Sequence, residues 1–213
     1  MKWTDQDTSL PLGKQDGFEK FHHEYDAAIQ KVNTKVEILS SDFEVRNDYS
    51  PIHHIEKRLK TAESIEEKLI RLGCEVSIPS ARENIKDIAG LRVICNFIED
   101  VYQVADMLTA QDDIELVICK DYIKNPKPNG YRSLHLGLRV PVFLIDRRVT
   151  VPVELQIRTV AMDFWASLEH QLRYKQNNEG RISEKTNIEL KACAEVSAKL
   201  DAQMQKIFDE VKK

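Results

Sequence analysis

The chain has 213 residues, 42% hydrophobic and 31% charged, the balance of a soluble globular domain and not of a disordered segment. Its 31 Lys and Arg stand against 35 Asp and Glu, a net charge of −4, which excludes a protein built to coat nucleic acid in bulk or an anionic membrane. The longest apolar run, Val140 to Ile145, is far short of the roughly 20 residues a membrane span needs, and only seven glycines are available for phosphate-binding loops.

In chain order, Met1 to Asp7 are polar and acidic, without the apolar stretch of a signal peptide, so a cytoplasmic protein is expected. Residues 1–14, with Pro11 and Gly13, lack periodicity and read as a loose leader. An N-terminal helix is predicted within 15–49, where Phe18, Phe21, Tyr25, Ala28, Val32, Val36, Leu39 and Phe43 recur in steps of three and four. Ser50-Pro51 reads as a helix start, followed at helical spacing by Ile52, Ile55, Leu59, Ile65, Leu69 and Leu72, with Gly73 to end it. Thr61-Ala62-Glu63 is a second capping signal, so a break is predicted near Lys60.

Strands and helices then alternate. Leu91 to Phe97 is β-rich, Glu99 to Gln111 has the pattern of a short helix, and Ile114 to Ile123 reads as a strand. Lys124 to Gly130, with two prolines and an Asn-Gly, is a loop. Two strands follow with clean alternation. Leu134, Leu136 and Leu138 oppose Ser133, His135, Gly137 and Arg139; Val151, Val153, Leu155 and Ile157 oppose Pro152, Glu154, Gln156 and Arg158. A helix over Thr159–Lys175 and a polar loop at 176–181 lead to a second long stripe, Ile188 to Val211, in a C-terminal helix over 182–213. The class is α+β: a mixed sheet of about five strands packed by helices over 50–175, with a long helix on either side in sequence. Those two helices form either an intramolecular layer or an oligomer contact. Cys74, Cys95, Cys119 and Cys193 form no Cys-x-x-Cys pair and read as buried free thiols of a reducing compartment.

A sheet face carrying Ser133, His135, Arg139, Glu154, Gln156 and Arg158 is either plain exposed surface or a site, because burying unpartnered charge costs several kcal/mol. Three features favour a site. Asp87 and Arg92 flank a strand entry. Lys120, Lys124 and Lys127 lie close before Tyr131 and Arg132. Lys60, Ser64 and Lys68 are spaced by four, one stripe of a helix. Basic groups from separate segments with an aromatic ring and two acids suit a polyphosphate, a base to stack and a metal ion. Neither G-x-G-x-x-G nor G-x-x-x-x-G-K-[ST] is present, so phosphates would be held by Lys and Arg side chains and a helix N-terminus. The adjacent pairs His22-His23 and His53-His54, placed on helices, diverge and read as surface or capping residues. No His-Asp dipeptide occurs, so a phosphohydrolase centre of that type is not expected.

Asp87-Ile88-Ala89-Gly90-Leu91-Arg92, Lys120-Asp121-Tyr122-Ile123 through Asn129-Gly130-Tyr131-Arg132-Ser133-Leu134-His135, and Val153-Glu154-Leu155-Gln156-Ile157-Arg158-Thr159 resemble, in order and spacing, the RelA/SpoT alarmone synthetase domain. Ala161 to His170 fits the same pattern, and the short chain is similar to the small alarmone synthetases of the RelP-type branch. The resemblance implies a nucleotidyltransferase-like fold and transfer of the β,γ-pyrophosphate of ATP to the ribose 3′-hydroxyl of GDP or GTP, giving ppGpp or pppGpp and AMP. It implies that Asp87 and Glu154 hold Mg²⁺, with Glu154 also accepting the hydroxyl proton. Arg58 and Arg92 would sandwich adenine, and Lys60, Ser64 and Lys68 would hold the ATP phosphates. Tyr131 would stack on guanine with Asn129 and Gln156 nearby, and Lys120, Lys127 and His135 would hold phosphates around the transfer. On one continuous helix Arg58 lies off the Lys60, Ser64 and Lys68 stripe, so its role requires the break near Lys60. A homotetramer is also implied, with the long flanking helices as contacts. The alternatives are the same transfer to an adenine nucleotide or a tRNA 3′ end, or a non-catalytic RNA-binding regulator.

Overall fold

The apolar stripe at the start of the chain forms α1 (Phe18–Asn47), and a sheet of the same chain covers it. Phe21, Tyr25, Ala28, Ile29, Val32 and Val36 are all buried against that sheet, each large side chain contributing about 1.5–3 kcal/mol of burial. The computed structural model describes residues 10–176 and 183–212. Its strands are β1 (Ile52–Leu59), β2 (Ala89–Cys95), β3 (Glu115–Asp121), β4 (Leu134–Phe143) and β5 (Arg148–Thr159). They lie in the order β1-β2-β5-β4-β3, with β2 and β5 parallel and every other neighbour antiparallel. The remaining helices are α2 (Ala62–Leu72), α3 (Ile78–Asn84), α4 (Ile98–Thr109), α5 (Val160–Gln176) and α6 (Glu184–Val211). This is the expected mixed α+β sheet of five strands.

The alternation read in β4 and β5 divides the sheet into two faces. Leu136 pairs Leu155, Leu138 pairs Val153 and Val140 pairs Val151, all buried on the α1 side. The intervening His135, Gly137, Glu154 and Gln156 point the other way.

Four expectations are corrected. Ile52–Leu59 is a strand, not the first half of a helix. A bulge between Ile52 and His54 shifts its phase, so Ile52, Ile55 and Leu59 are the half-buried positions and imitate helical spacing. The break near Lys60 is real: Thr61 caps α2, its Oγ1 accepting from Ser64 N, and Gly73 ends that helix in the left-handed conformation. His53 and His54 are therefore exposed on a strand and not on a helix. The leader, where described, is not loose: Leu12–Lys14 is a 3-10 turn with Leu12 fully buried. Helix α3 went unread, although Ser77 caps it and Pro79 sits in its first turn. Among the cysteines only Cys95 is buried, and Cys119 and Cys193 are exposed. The polar loop predicted at 176–181 lies, past Gln176, outside the described residues.

The two long helices also part company. The sheet takes up α1, whereas α6 buries only Ala194 and Asp201 and leaves Val196, Leu200, Met204 and Ile207 exposed. Asp201 ties α6 to the end of β5, where the Thr159 hydroxyl donates to its Oδ2 at 2.6 Å. Burial raises the Asp201 carboxyl above its ordinary value, and the Thr159 bond only partly opposes this. A raised folded-state value means stabilisation that is fully present below the ordinary value and is lost as pH rises through the raised one. Asp201→Asn keeps an acceptor for Thr159 without the charge, so its thermal midpoint at pH 7 is expected to equal or exceed that of the parent. A lower midpoint at pH 7 than at pH 4, relative to the parent, would refute this.

Candidate active site

The open face of the sheet carries two rows of side chains at right angles to the strands. In one, strand register aligns Arg58, Gly90, Glu154 and Gly137; in the next it aligns Glu56, Arg92, Gln156, His135 and Lys120. Glu154 thus stands between two glycines. An added Cβ at Gly90 or Gly137 meets its nearest atom at 3.5 Å, ordinary van der Waals contact, so packing does not demand glycine at either place. What the missing side chains create is open space on both flanks of Glu154.

That space is two cavities. One, of about 380 Å³, lies over β1 and β2 and is lined by Glu56, Arg58, Lys60, Asp87, Arg92, Glu154 and Gln156. The other, of about 680 Å³, lies over β3 and β4 and is lined by Lys68, Lys120, Tyr122, Lys127, Tyr131 and His135 together with Asp87, Glu154 and Gln156. Asp87, Glu154 and Gln156 are common walls of both. The strand conformation of 52–59 is what sends Arg58 here: on β1 it sits opposite Gly90, on the same face as Arg92. Lys60 follows at the strand end and Lys68 comes two turns into α2.

Both lysines reach Asp87. Lys68 Nζ lies 2.5 Å from Oδ1 and Lys60 Nζ 3.4 Å from Oδ2. Burial pushes the Asp87 carboxyl up, but the Lys68 and Lys60 contacts outweigh it and hold the group below its ordinary value. His135 moves down to about 4, first through burial and then through the charges of Arg158, Lys127 and Lys120. Its imidazole is therefore neutral near pH 7, and its 3.8 Å approach to Glu154 is not an ion pair. Gln156 Nε2 donates to Glu154 Oε2 at 3.0 Å. Lys127 Nζ lies 4.7 Å from the Tyr131 ring centre and 4.8 Å from that of Tyr122, a cation over two aromatic faces.

Two of the residues to which the resemblance gave a role do not line either cavity. Ser64 is engaged in the α2 cap with Thr61. Asn129 shapes the loop: its Nδ2 donates to Glu169 at 3.2 Å and its Oδ1 accepts from Tyr131 N. Gly130 follows at φ 92°, where a Cβ would lie 2.6 Å from that of Ala194, so both conformation and space require glycine. No role was expected for Glu56, Lys86, Tyr122 or Asp163, all at or beside the cavities. Glu56 accepts from Arg92 at 2.9 Å, and Asp163 bridges Arg158 and Arg92 at 3.1 and 3.7 Å. Charge alternation along β1 was the available signal for Glu56; Asp163 required the turn of α5 back onto the sheet.

A region found in RelA/SpoT proteins matches residues 57–179. The chain belongs to the RelA/SpoT family. It is 46% identical over 187 residues to the GTP pyrophosphokinase YwaC of Bacillus subtilis, covering 88% of each chain. Small alarmone synthetase 2 of Bacillus subtilis superposes with a TM-score of 0.82 at 44% identity, over 92% of this chain and 100% of that one. Small alarmone synthetase 1 of the same organism, in a structure bound to its product pppGpp, gives 0.83 at 36% identity, over 93% and 100%. The RelA/SpoT match begins inside β1 and so takes in every cavity-lining residue named above except Glu56.

Proposed function

We propose that this chain is a GTP pyrophosphokinase that transfers the β,γ-pyrophosphate of ATP to the ribose 3′-oxygen of GDP or GTP. The observation that carries the reading is the pair of cavities with common walls at Asp87, Glu154 and Gln156. Two substrates held on either side of those acids meet at them. The first cavity, with Arg58, Arg92 and Lys60, takes ATP, its guanidinium groups offering planar faces to adenine. The second takes the guanosine nucleotide, with Tyr131 against the base and Lys120 and Lys127 near phosphate.

The 3′-oxygen attacks the β-phosphorus in line, its proton passes to the Glu154 carboxylate, the bond from the α-phosphate bridging oxygen to the β-phosphorus breaks, and AMP leaves. Lys60 and Lys68 exchange Asp87 for phosphate oxygens when ATP enters. Two carboxylates without a third ligand suit Mg²⁺, which binds through one or two acids plus substrate phosphates; among the described residues no group of three His, Cys, Asp or Glu competes as a cage. Asp87 and Glu154 would hold the ion, which supplies neutralisation of the phosphate charge.

Incubation with ATP, Mg²⁺ and, separately, GDP or GTP is expected to release AMP with ppGpp or pppGpp. Arms with ADP and with tRNA as acceptor distinguish the alternative transfers, and RNA binding without AMP release would overturn the enzymatic reading. We further place the reaction in the cytoplasm, where four unpaired thiols stay reduced; no described helix is long and apolar enough to cross a membrane. A homotetramer is our reading of the apolar residues left exposed on α5 and α6, Phe164, Leu168, Leu200 and Met204 among them. Light scattering at micromolar concentration is expected to give about four times the 24.6 kDa chain mass, and a monomer mass would refute it.

A further inference from the structure

Arg158 lies beneath the acceptor cavity, on β5 four residues beyond Glu154. It is 4% exposed and touches neither cavity. Its guanidinium is nevertheless among the most engaged groups of the domain. One Nη2 hydrogen goes to the Tyr131 hydroxyl at 2.5 Å and the other to Gln156 Oε1 at 2.8 Å; Nη1 donates to Asp163 Oδ1 at 3.1 Å and Nε to Ser133 Oγ at 3.4 Å. The ring of Tyr131 also lies 5.1 Å from its central carbon.

A guanidinium has donors only and does not lose its charge. Each group it touches must therefore accept, and must turn its own donor elsewhere. Gln156 has its oxygen on Arg158, so its amide N–H₂ is left for Glu154, where Nε2 donates to Oε2 at 3.0 Å. The flipped amide would set donor against guanidinium and oxygen against carboxylate. Tyr131 accepts from Arg158 and so donates its hydroxyl proton to His135 Nε2, 2.7 Å away. With Nε2 accepting from Tyr131, the ring proton sits on Nδ1, the nitrogen that faces Glu154 Oε1 across 3.8 Å.

We propose that Arg158 is a positioning residue for Glu154, fixing the donor direction of two hydrogen-bonded chains, one through Gln156 and one through Tyr131 and His135, which turn an N–H toward each of its carboxylate oxygens. The inference rests on the reading of Glu154 as the centre of transfer. In it, Arg158 never meets substrate. It sets which oxygen of Glu154 is bound by the Gln156 amide and which faces His135, and hence the direction from which the carboxylate meets the 3′-hydroxyl. It also selects for His135 the tautomer that free imidazoles populate less.

The test separates the inference from the function it builds on. Nitrogen-15 spectra of the histidine rings at pH 7 report the tautomer whatever the activity. Wild type is expected to show His135 protonated on Nδ1, and Tyr131→Phe, which removes one oxygen, is expected to shift it toward Nε2–H. An Nε2–H ring in wild type overturns the proposal. For transfer, Arg158→Gln is expected to lower kcat by about 10–100-fold, as loss of an orienting partner does, with the KM for ATP within about twofold. Arg158→Lys, which restores a cationic donor, is expected to recover a large part of kcat. Equal loss in both variants with the tautomer unchanged would assign Arg158 to packing alone. Absence of AMP release in wild type would instead defeat the reading of the site, leaving the tautomer result standing.

Discussion

Glu154→Gln is expected to lower the rate of AMP release from ATP and GDP by about 10³-fold or more, with the thermal midpoint close to that of the parent. The amide keeps the size of the side chain and its neighbours, but it takes no proton at neutral pH and carries no charge for a cation. General-base action alone contributes about 10²–10⁴-fold, and charge placed at the developing transition state adds to it. Glu154 is half-exposed between Gly90 and Gly137, so nothing packed depends on its ionised form. The measurement is initial AMP formation with both substrates saturating, beside a melting curve. A variant within tenfold of wild type would remove Glu154 from the chemistry.

Asp87→Asn is expected to separate binding from transfer. It releases Lys60 and Lys68 from their carboxylate and removes an oxygen donor offered to a cation, while leaving both lysines free for phosphate. AMP formation should fall by about 10²–10³-fold, an effect of the size seen when a transition-state electrostatic contact is removed. ATP binding, measured by calorimetry without divalent cation, should hold or tighten. The Mg²⁺ concentration giving half the maximal rate should rise. The cost to the fold is small by comparison: these pairs are partly solvated, and such pairs contribute about 0–1 kcal/mol. Because the Asp87 carboxyl is held below its ordinary value, that contribution is present above the ordinary value and is lost as pH falls through the lowered one. At pH 7 the parent keeps it and the variant does not. Weaker ATP binding together with unchanged Mg²⁺ dependence would contradict the assignment.

Much of this was legible in residue order. The alternation of Leu134, Leu136 and Leu138 against His135 and Gly137 is a period-two signal, and a half-buried strand shows its faces that way. Of the residues to which the resemblance gave a role, all except Ser64 and Asn129 line the cavities, and those in strands inherit their direction from the pleat. Ser64 failed for a local reason: the helix stripe predicted over Lys60, Ser64 and Lys68 does not exist, since Lys60 lies between β1 and α2, and Ser64, in the first turn of α2, is taken up by the cap. Asn129 failed because loop geometry, unlike strand register, has no period to extrapolate. The edge strand β1 was hidden by its bulge, which turned an alternation into steps of three and four. Correcting it removes the difficulty with Arg58, since a strand delivers that side chain to the Arg92 face without a helix break. The work of Arg158 was not legible at all. Its residue type and position were plain, but the direction of a hydrogen bond depends on which partner a tertiary fold brings to it.

The parallel pairing of β2 with β5 has a consequence for the life of the molecule. Gly90 meets Glu154 and Arg92 meets Gln156 only when segments more than 60 positions apart in the chain have come together at the middle of the sheet. Such distant pairings form late and slowly, after the local hairpin of β4 and β5. Asp87 and Glu154 therefore share a wall only in a chain whose central seam has closed. A ribosome-bound or clipped chain that ends before β5 contains Lys60, Lys68, Arg58 and Arg92, the residues proposed to hold ATP, yet has nowhere for two nucleotides to react. In refolding, the return of AMP release should coincide with closure of that seam and lag behind the return of helical signal.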